Sequence, residues 1–289
     1  MATLTAADVA HFKDEGFHCG LRSLSSAALL AARAAYAALE TKHDRQFLSV
    51  GVHNTHLLPW GWAIASSPPA VAAAAELLGS ADVVCLGSHV FCKYGPSEEF
   101  VSWHQDATYW RLSHPAGSEG EAGRESVVVS VWTALDDVPL ETGPVRMVPG
   151  SHKAGYLPHE LGAAEAQGEN LLSQRQLCPV APEDEATAVS MVLKAGEVCA
   201  KRCGAAQCPC DDADRCVRAY PPQASIHDGL TVHGSEPNRS QLRRLGVTHL
   251  YARADVVTPK DAWPNSVLVN GAASSAEGAL ELLPTPASA

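Results

Sequence analysis

The chain has 289 residues, with 46% hydrophobic and 18% charged residues, a globular balance that argues against disorder and is enough for one large core. A formal charge of −11 excludes a protein that grips nucleic-acid phosphates or anionic membrane surfaces nonspecifically. The start of the chain has no apolar run of signal-peptide length, and its most apolar stretches are too short to span a bilayer, so a soluble, cytoplasmic protein is expected.

In chain order, the first third reads as helical. Thr5 followed by Asp8 forms a capping signature, with Val9 and Phe12 on one face and Gly16 as the stop. Leu24 to Leu39 is rich in Ala and Leu without internal Gly or Pro, which predicts a second helix. Pro69 opens a third over Ala70 to Leu78, ended by Gly79. Nothing catalytic is spaced along these helices, so they read as scaffold.

From Asp82 the pattern changes to short β-type runs between Gly and Pro turns. The expected strands are Val83 to Tyr94, Phe100 to Trp110, Ser126 to Ala134, Pro144 to Val148, Val189 to Leu193, Ser225 to His233 and Arg244 to Tyr251. Many short strands behind leading helices predict a mainly β (α+β) fold, a barrel or sandwich buttressed by helices. The Ala/Ser/Pro-rich stretch 271–289 is expected to be a loosely held tail.

The chemistry concentrates at Trp103-His104-Gln105-Asp106. In a strand, residues two apart share a face, so His104 and Asp106 can chelate one ion side by side. His233, within Thr231-Val232-His233-Gly234-Ser235, can add a distant third ligand, and Gly234 lets the backbone pass close to the site. Two His and one carboxylate with open coordination positions suit iron(II). Arg244 lies inside an apolar strand and needs an anionic partner. A dicarboxylate fits its bidentate guanidinium, although a structural Asp or Glu partner is the simpler alternative. His227 competes with His233 as the distal ligand, and the Gly-Ser context favours His233. His227 then reads as a substrate contact. His53, His56, His89, His114 and His152 read as surface or packing residues.

These stretches, together with Ser88-His89-Val90-Phe91-Cys92-Lys93, Ala107-Thr108-Tyr109-Trp110, Val131-Trp132-Thr133-Ala134-Leu135-Asp136-Asp137, Gly143 to His152 and His233 to Asn238, resemble the phytanoyl-CoA dioxygenase family of iron- and 2-oxoglutarate-dependent oxygenases. The resemblance runs from the first helix to about Tyr251. It implies a double-stranded β-helix (jelly-roll, cupin-like) core in a single domain, with His104, Asp106 and His233 as iron(II) ligands. It further implies that Arg244 anchors 2-oxoglutarate, helped by Ser235, Lys93 and Trp132, and that Trp110 and Tyr109 line the substrate pocket. The activity implied is hydroxylation of a small molecule by O2, coupled to decarboxylation of 2-oxoglutarate to succinate, with ascorbate a candidate reductant. Carrier-dependent halogenases look similar but have Ala or Gly where Asp106 stands. A non-catalytic cupin-like binding protein would not need the full triad plus Arg244.

Of nine cysteines, Cys19, Cys85, Cys92 and Cys178 read as buried thiols. The other five crowd into 199–216, inside an expected insert from Val198 to Gln223 that breaks the resemblance. Cys203, Cys208, Cys210 and Cys216 could bind zinc, but two clean C-x-x-C pairs are lacking. Removing it would run Glu197 straight into Ala224 as a continuous strand approach. A surface insertion and a translated intron are the alternatives, and the intron is favoured because Val codons begin GT and a Gln codon is CAG, as splice boundaries require.

Overall fold

The computed structural model describes residues 4–21, 23–110, 112, 127–161, 169–172, 176–195, 223–258, 262–275 and 278–286. The Thr5 side chain caps helix α1 (Ala6–Glu15) and Asp8 returns the bond, a complete capping box, while Gly16 closes the helix at φ 85°. Strand β1 (Phe17–Leu21) follows, then α2 (Ser26–Glu40), α3 (Arg45–Val50), α4 (Pro59–Ala65) and α5 (Pro68–Leu78). The β region comprises β2 (Val83–Lys93), β3 (Val101–His104), the short α6 (Ala107–Trp110), β4 (Val128–Ala134) and β5 (Val145–Met147). The rest are β6 (Glu160–Leu161), β7 (Gln176–Leu177), α7 (Pro182–Thr187), β8 (Val189–Ser190), β9 (Ala224–Asp228), β10 (His233–Ser235), β11 (Arg244–Arg253) and β12 (Val267–Asn270).

The strands form a six-stranded antiparallel sheet ordered β1-β9-β4-β11-β2-β12 and a four-stranded sheet ordered β3-β10-β5-β8, with β6 and β7 paired separately. The helices cover the outer face of the larger sheet. There, Val71, Ala73 and Ala74 of α5 pack with Val83, Cys85, Val129, Val131, Ile226 and Tyr251. Alanines permit this close approach, and the Tyr251 hydroxyl donates to the Ala65 carbonyl at 2.8 Å, so that the buried phenol is satisfied. On α2 the buried residues Leu29, Ala32 and Tyr36 recur with helical spacing. No helix among the described residues is long and apolar enough to cross a membrane.

Two expected strands are divided. The run 100–110 holds pairing only to His104, then turns into α6. The run 225–233 is two strands in different sheets, because Asp228 turns the chain: its Oδ1 accepts the Leu230 N–H at 2.7 Å and its carbonyl accepts that of Thr231 at 2.9 Å. Strand β1 and helices α3 and α4 were not anticipated, being short and lacking clear periodicity. Of the four dispersed cysteines, Cys85, Cys92 and Cys178 are buried free thiols, whereas Cys19 is half-buried.

The insert and its zinc-binding and intron readings lie outside the described residues, except for Gln223. That residue adjoins the start of β9: its N–H donates to the Leu21 carbonyl and its carbonyl accepts the Ala134 N–H. Within the expected tail, Leu280 is buried in a core cluster and the Leu283 backbone bridges to Val267.

Gly246 of β11 makes room for the Trp132 indole. A Cβ there would lie 2.1 Å from Trp132 Cζ2. Gly246→Val is expected to destabilise the fold by about 2–3 kcal/mol in urea unfolding, since neither the sheet nor the indole can yield cheaply.

Candidate metal centre

Strand β10 lies between β3 and β5, and its register sets His233 directly opposite His104. A side chain at Gly234 would come 2.9 Å from the Val101 carbonyl, so glycine allows the two strands to close. The imidazole centroids of His104 and His233 are 4.2 Å apart.

Asp106 reaches the same point from the turn after β3, not from the strand. Its neighbour Gln105 anchors that turn. Gln105 Nε2 donates to the carbonyls of Gly155 (2.8 Å) and Leu230 (2.7 Å), and Oε1 accepts the Leu157 N–H at 2.8 Å. These bonds satisfy a fully buried amide and hold the loop rigidly.

One potential ligand atom from each of His104, Asp106 and His233 lies within 4.8 Å of the others. Asp106 Oδ1 is 3.4 Å from His104 Nε2 and 3.7 Å from His233 Nε2. The protonation pattern explains why a cation fits. His104 Nδ1 bonds the Ser102 carbonyl and His233 Nδ1 the Thr231 carbonyl, each at 2.9 Å. A carbonyl only accepts, so each Nδ1 carries a proton, and Nε2, on the side of Asp106, is the nitrogen whose lone pair would meet a cation. Burial, with His104 and His227 alongside, pushes the His233 imidazole well below its usual range and keeps it neutral. Burial disfavours charge on Asp106, but the imidazoles of His233, His104 and His227 outweigh it and hold the carboxyl well below the usual range. Two lone pairs and a carboxylate therefore converge on one point, an arrangement that a divalent cation satisfies.

The outer carboxylate oxygen is held separately. Asp106 Oδ2 accepts from Ser130 Oγ at 2.7 Å and from His227 Nε2 at 3.3 Å, leaving Oδ1 to face the histidines. Ser130→Ala is expected to weaken manganese(II) binding about tenfold by calorimetry, with little change in stability, because partners that orient a ligand contribute on that scale.

A family profile described as Phytanoyl-CoA dioxygenase (PhyH) matches residues 12–200, well over half of the chain. The chain belongs to the phytanoyl-CoA dioxygenase family. This membership places it among the 2-oxoglutarate-dependent non-haem iron oxygenases. Similar solved structures include the apo form of the non-heme monooxygenase ThoJ, at 24% identity and TM-score 0.68 over 97% of this chain and 88% of that one. EvdO2 from Micromonospora carbonacea var. aurantiaca shows 19% identity and TM-score 0.60, over 90% of this chain and 94% of that one. CytC3 with Fe(II) and alpha-ketoglutarate shows 19% and 0.60 over 97% and 93%. At such identities the likeness is one of fold, the helix-buttressed double-stranded β-helix. No curated protein matches significantly in sequence. The profile ends at residue 200, before His233 and Arg244, which the fold places on the same cavity as His104 and Asp106.

The triad opens on a cavity of about 560 Å³ between the two sheets, lined also by Trp110, Trp132, His227, Ser235 and Arg244. Arg244 is buried, and among the described residues no carboxylate lies within ion-pair distance of it. Nη1 donates to the Gly143 carbonyl at 2.5 Å, Nε has no partner, and the guanidinium stacks 5.3 Å from the Trp132 ring centre. Burial lowers its pKa to about 10, leaving it charged at neutral pH. The simpler alternative, a structural acid paired with Arg244, is therefore not what the described residues show.

Lys93 departs from expectation. It sits opposite Arg244 across β2 and β11 but does not line the cavity. Its ammonium is fully buried, donating to Ser235 Oγ (2.6 Å) and to the carbonyls of Ser235 (3.3 Å) and Glu236 (2.5 Å). With its donors spent on protein acceptors, Lys93 holds Ser235 in place instead of meeting a ligand. The Tyr109 side chain lies outside the described residues. Trp263, packed edge-to-face on Trp110 at 6.4 Å, lines the cavity with no motif in the sequence to announce it. His53 and His89, expected to be surface or packing residues, line the cavity as well.

Proposed function

We propose that the protein binds iron(II) through His104, Asp106 and His233, binds 2-oxoglutarate against Arg244, and hydroxylates a small molecule while 2-oxoglutarate is decarboxylated to succinate. The observation that carries this reading is a three-ligand cluster and a buried, acid-free arginine facing one cavity. A dicarboxylate long enough to reach both ends supplies what each lacks.

When bound, iron and 2-oxoglutarate supply the O2 activation and the oxidising power. The protein's own groups bind, orient and shield. The two Nδ1–H bonds to backbone carbonyls lock the imidazoles in the ligating tautomer. Ser130 and His227 restrain Asp106 so that a single oxygen faces the histidines. The Arg244 guanidinium takes the distal carboxylate, with the Ser235 hydroxyl, held by Lys93, at its side. The Trp132 indole covers the guanidinium and keeps water from competing. Asp106 argues for hydroxylation over halogenation, since its carboxylate occupies the position a halide would need.

The test is an anaerobic titration of the full chain with iron(II) and 2-oxoglutarate. A charge-transfer band is expected to appear only when both are present, and succinate to form on admitting O2. Iron binding without the band would remove Arg244 from the co-substrate role, and no iron binding would end the proposal.

A further inference from the structure

Away from the metal end, the cavity wall is largely aromatic and aliphatic: Val50, Phe91, Trp110, Leu172, Leu250 and Trp263 line it. Trp263 comes from the segment between β11 and β12, past the end of the family profile. Trp110 closes α6, the short helix that follows the Asp106 turn. The two indoles meet edge to face, ring centres 6.4 Å apart at 75°. A late stretch of the chain is thereby packed against the helix beside the metal ligands.

Several contacts fix the Trp263 ring. Its Nε1–H donates to the Trp110 carbonyl at 3.2 Å, which spends the one polar atom of the indole and leaves an apolar ring. Gly87 of β2 pairs with Leu250 of β11, a lining residue, so both stand on the inner face of the sheet. A Cβ at Gly87 would lie 3.8 Å from Trp263 Cζ3, ordinary contact distance, so the indole edge rests close over the strand with no side chain between. Trp263 also packs against the buried cluster that holds Trp110, Leu250 and Leu280. A ring held this way is ordered before anything binds, and a preorganised wall saves the entropy of ordering it.

The polar groups of this wall are uncharged. His53 and His89 bond each other, Nδ1 to Nδ1 at 2.7 Å. Burial, reinforced by His53, pushes the His89 imidazole down to about 4, and burial lowers His53 as well. Thr248 adds a hydroxyl. Histidines aside, only Asp106 and Arg244 among the described lining residues carry charge, and both belong to the metal end. An ionic group lying along the outer wall would lose water there without a counter-charge from the described residues.

We propose that Trp263 is a specificity-determining residue of this cavity, and that the substrate is an uncharged molecule anchored by a flat aromatic ring on Trp263 and Trp110. An aromatic ring gains from the indole quadrupole beyond its buried area, by about 2- to 12-fold per well-placed pair. A puckered aliphatic skeleton of equal size gains from area alone. Calling the occupant a substrate rests on the oxygenase reading; the binding itself does not.

The test titrates 2-naphthol and decahydro-2-naphthol, the same skeleton flat or puckered, into the full chain by NMR. Both the metal-free protein and the protein loaded with manganese(II) and 2-oxoglutarate are used, and 2-naphthoate is added as an anionic probe to the loaded form. 2-Naphthol is expected to bind at least about threefold more tightly than its saturated counterpart, although the latter is no less apolar. 2-Naphthoate should bind more weakly than 2-naphthol. Trp263→Leu should abolish the flat-ring preference and Trp263→Phe should retain most of it, with melting temperature verifying that both variants fold. In the wild type, nuclear Overhauser contacts should join 2-naphthol to the Trp263 indole, a readout that needs no variant. Equal or tighter binding of the saturated probe, a preference that survives Trp263→Leu, absence of those contacts, or tightest binding by 2-naphthoate would each overturn the proposal. Failure of the iron(II) and 2-oxoglutarate titration would leave the flat-ring preference of the metal-free protein standing and sink only the oxygenase reading.

Discussion

Asp106→Ala and His233→Ala are each expected to abolish succinate formation and to weaken iron(II) binding by well over about 100-fold, more than the loss of an orienting partner costs. Each variant removes one of three inward-facing ligand atoms. The Asp106 variant also removes the only negative charge of the cluster and leaves Ser130 Oγ and His227 Nε2 without their acceptor. Folding should survive in both, because the rings and the turn are held by backbone carbonyls and by Gln105, not by the absent metal ligand. Metal content after anaerobic loading, read beside succinate release, checks the result. Normal turnover by either variant would take that residue out of the metal site.

Arg244→Met should produce opposite effects on function and stability. The KM for 2-oxoglutarate is expected to rise at least about 100-fold, roughly 3 kcal/mol, because a buried charge-assisted pair with the carboxylate is lost. Iron(II) affinity in the absence of co-substrate should hardly change. The metal-free protein, in contrast, is expected to become more stable by about 1–4 kcal/mol, since an apolar side chain replaces a fully buried cation that has no acidic partner among the described residues. Arg244→Lys should recover little of the binding, as an ammonium lacks the planar fork and cannot stack on Trp132 in the same way. Enzyme kinetics over a 2-oxoglutarate series and urea unfolding of the apo protein test the two halves separately. A destabilised Arg244→Met protein with unchanged KM would assign the residue to the scaffold.

Local signals were legible wherever a short stretch of chain decides its own structure. The Thr5–Asp8 box, the Gly16 and Gly79 stops and the Pro-led α5 all formed as their residues indicate. So did the long strands β2, β4 and β11, whose β-branched residues are buried. Errors came where the chain changes sheet. Strand spacing predicts that His104 and Asp106 share a strand face, but Asp106 stands in the turn after β3, and the expected single strand bearing His227 and His233 is two strands in different sheets. They meet because two sheets face one cavity.

Side-chain roles divided along the same line. Residue types alone pointed to the candidate triad and the buried arginine: a His-x-Asp step, a distant His beside Gly, and a cation within an apolar strand are readable without coordinates. Partners were not readable. Whether Lys93 meets a ligand or clamps Ser235, and whether His53 and His89 pack inertly or face the cavity as a proton-sharing pair, depends on atoms brought together from segments far apart in the chain. The sequence by itself determined the kinds of chemical group available and the local elements that carry them. Only the tertiary structure decided which groups share a proton, a cation or a cavity wall, because those interactions act over a few ångströms, and only the packing of one sheet against the other brings the groups that close.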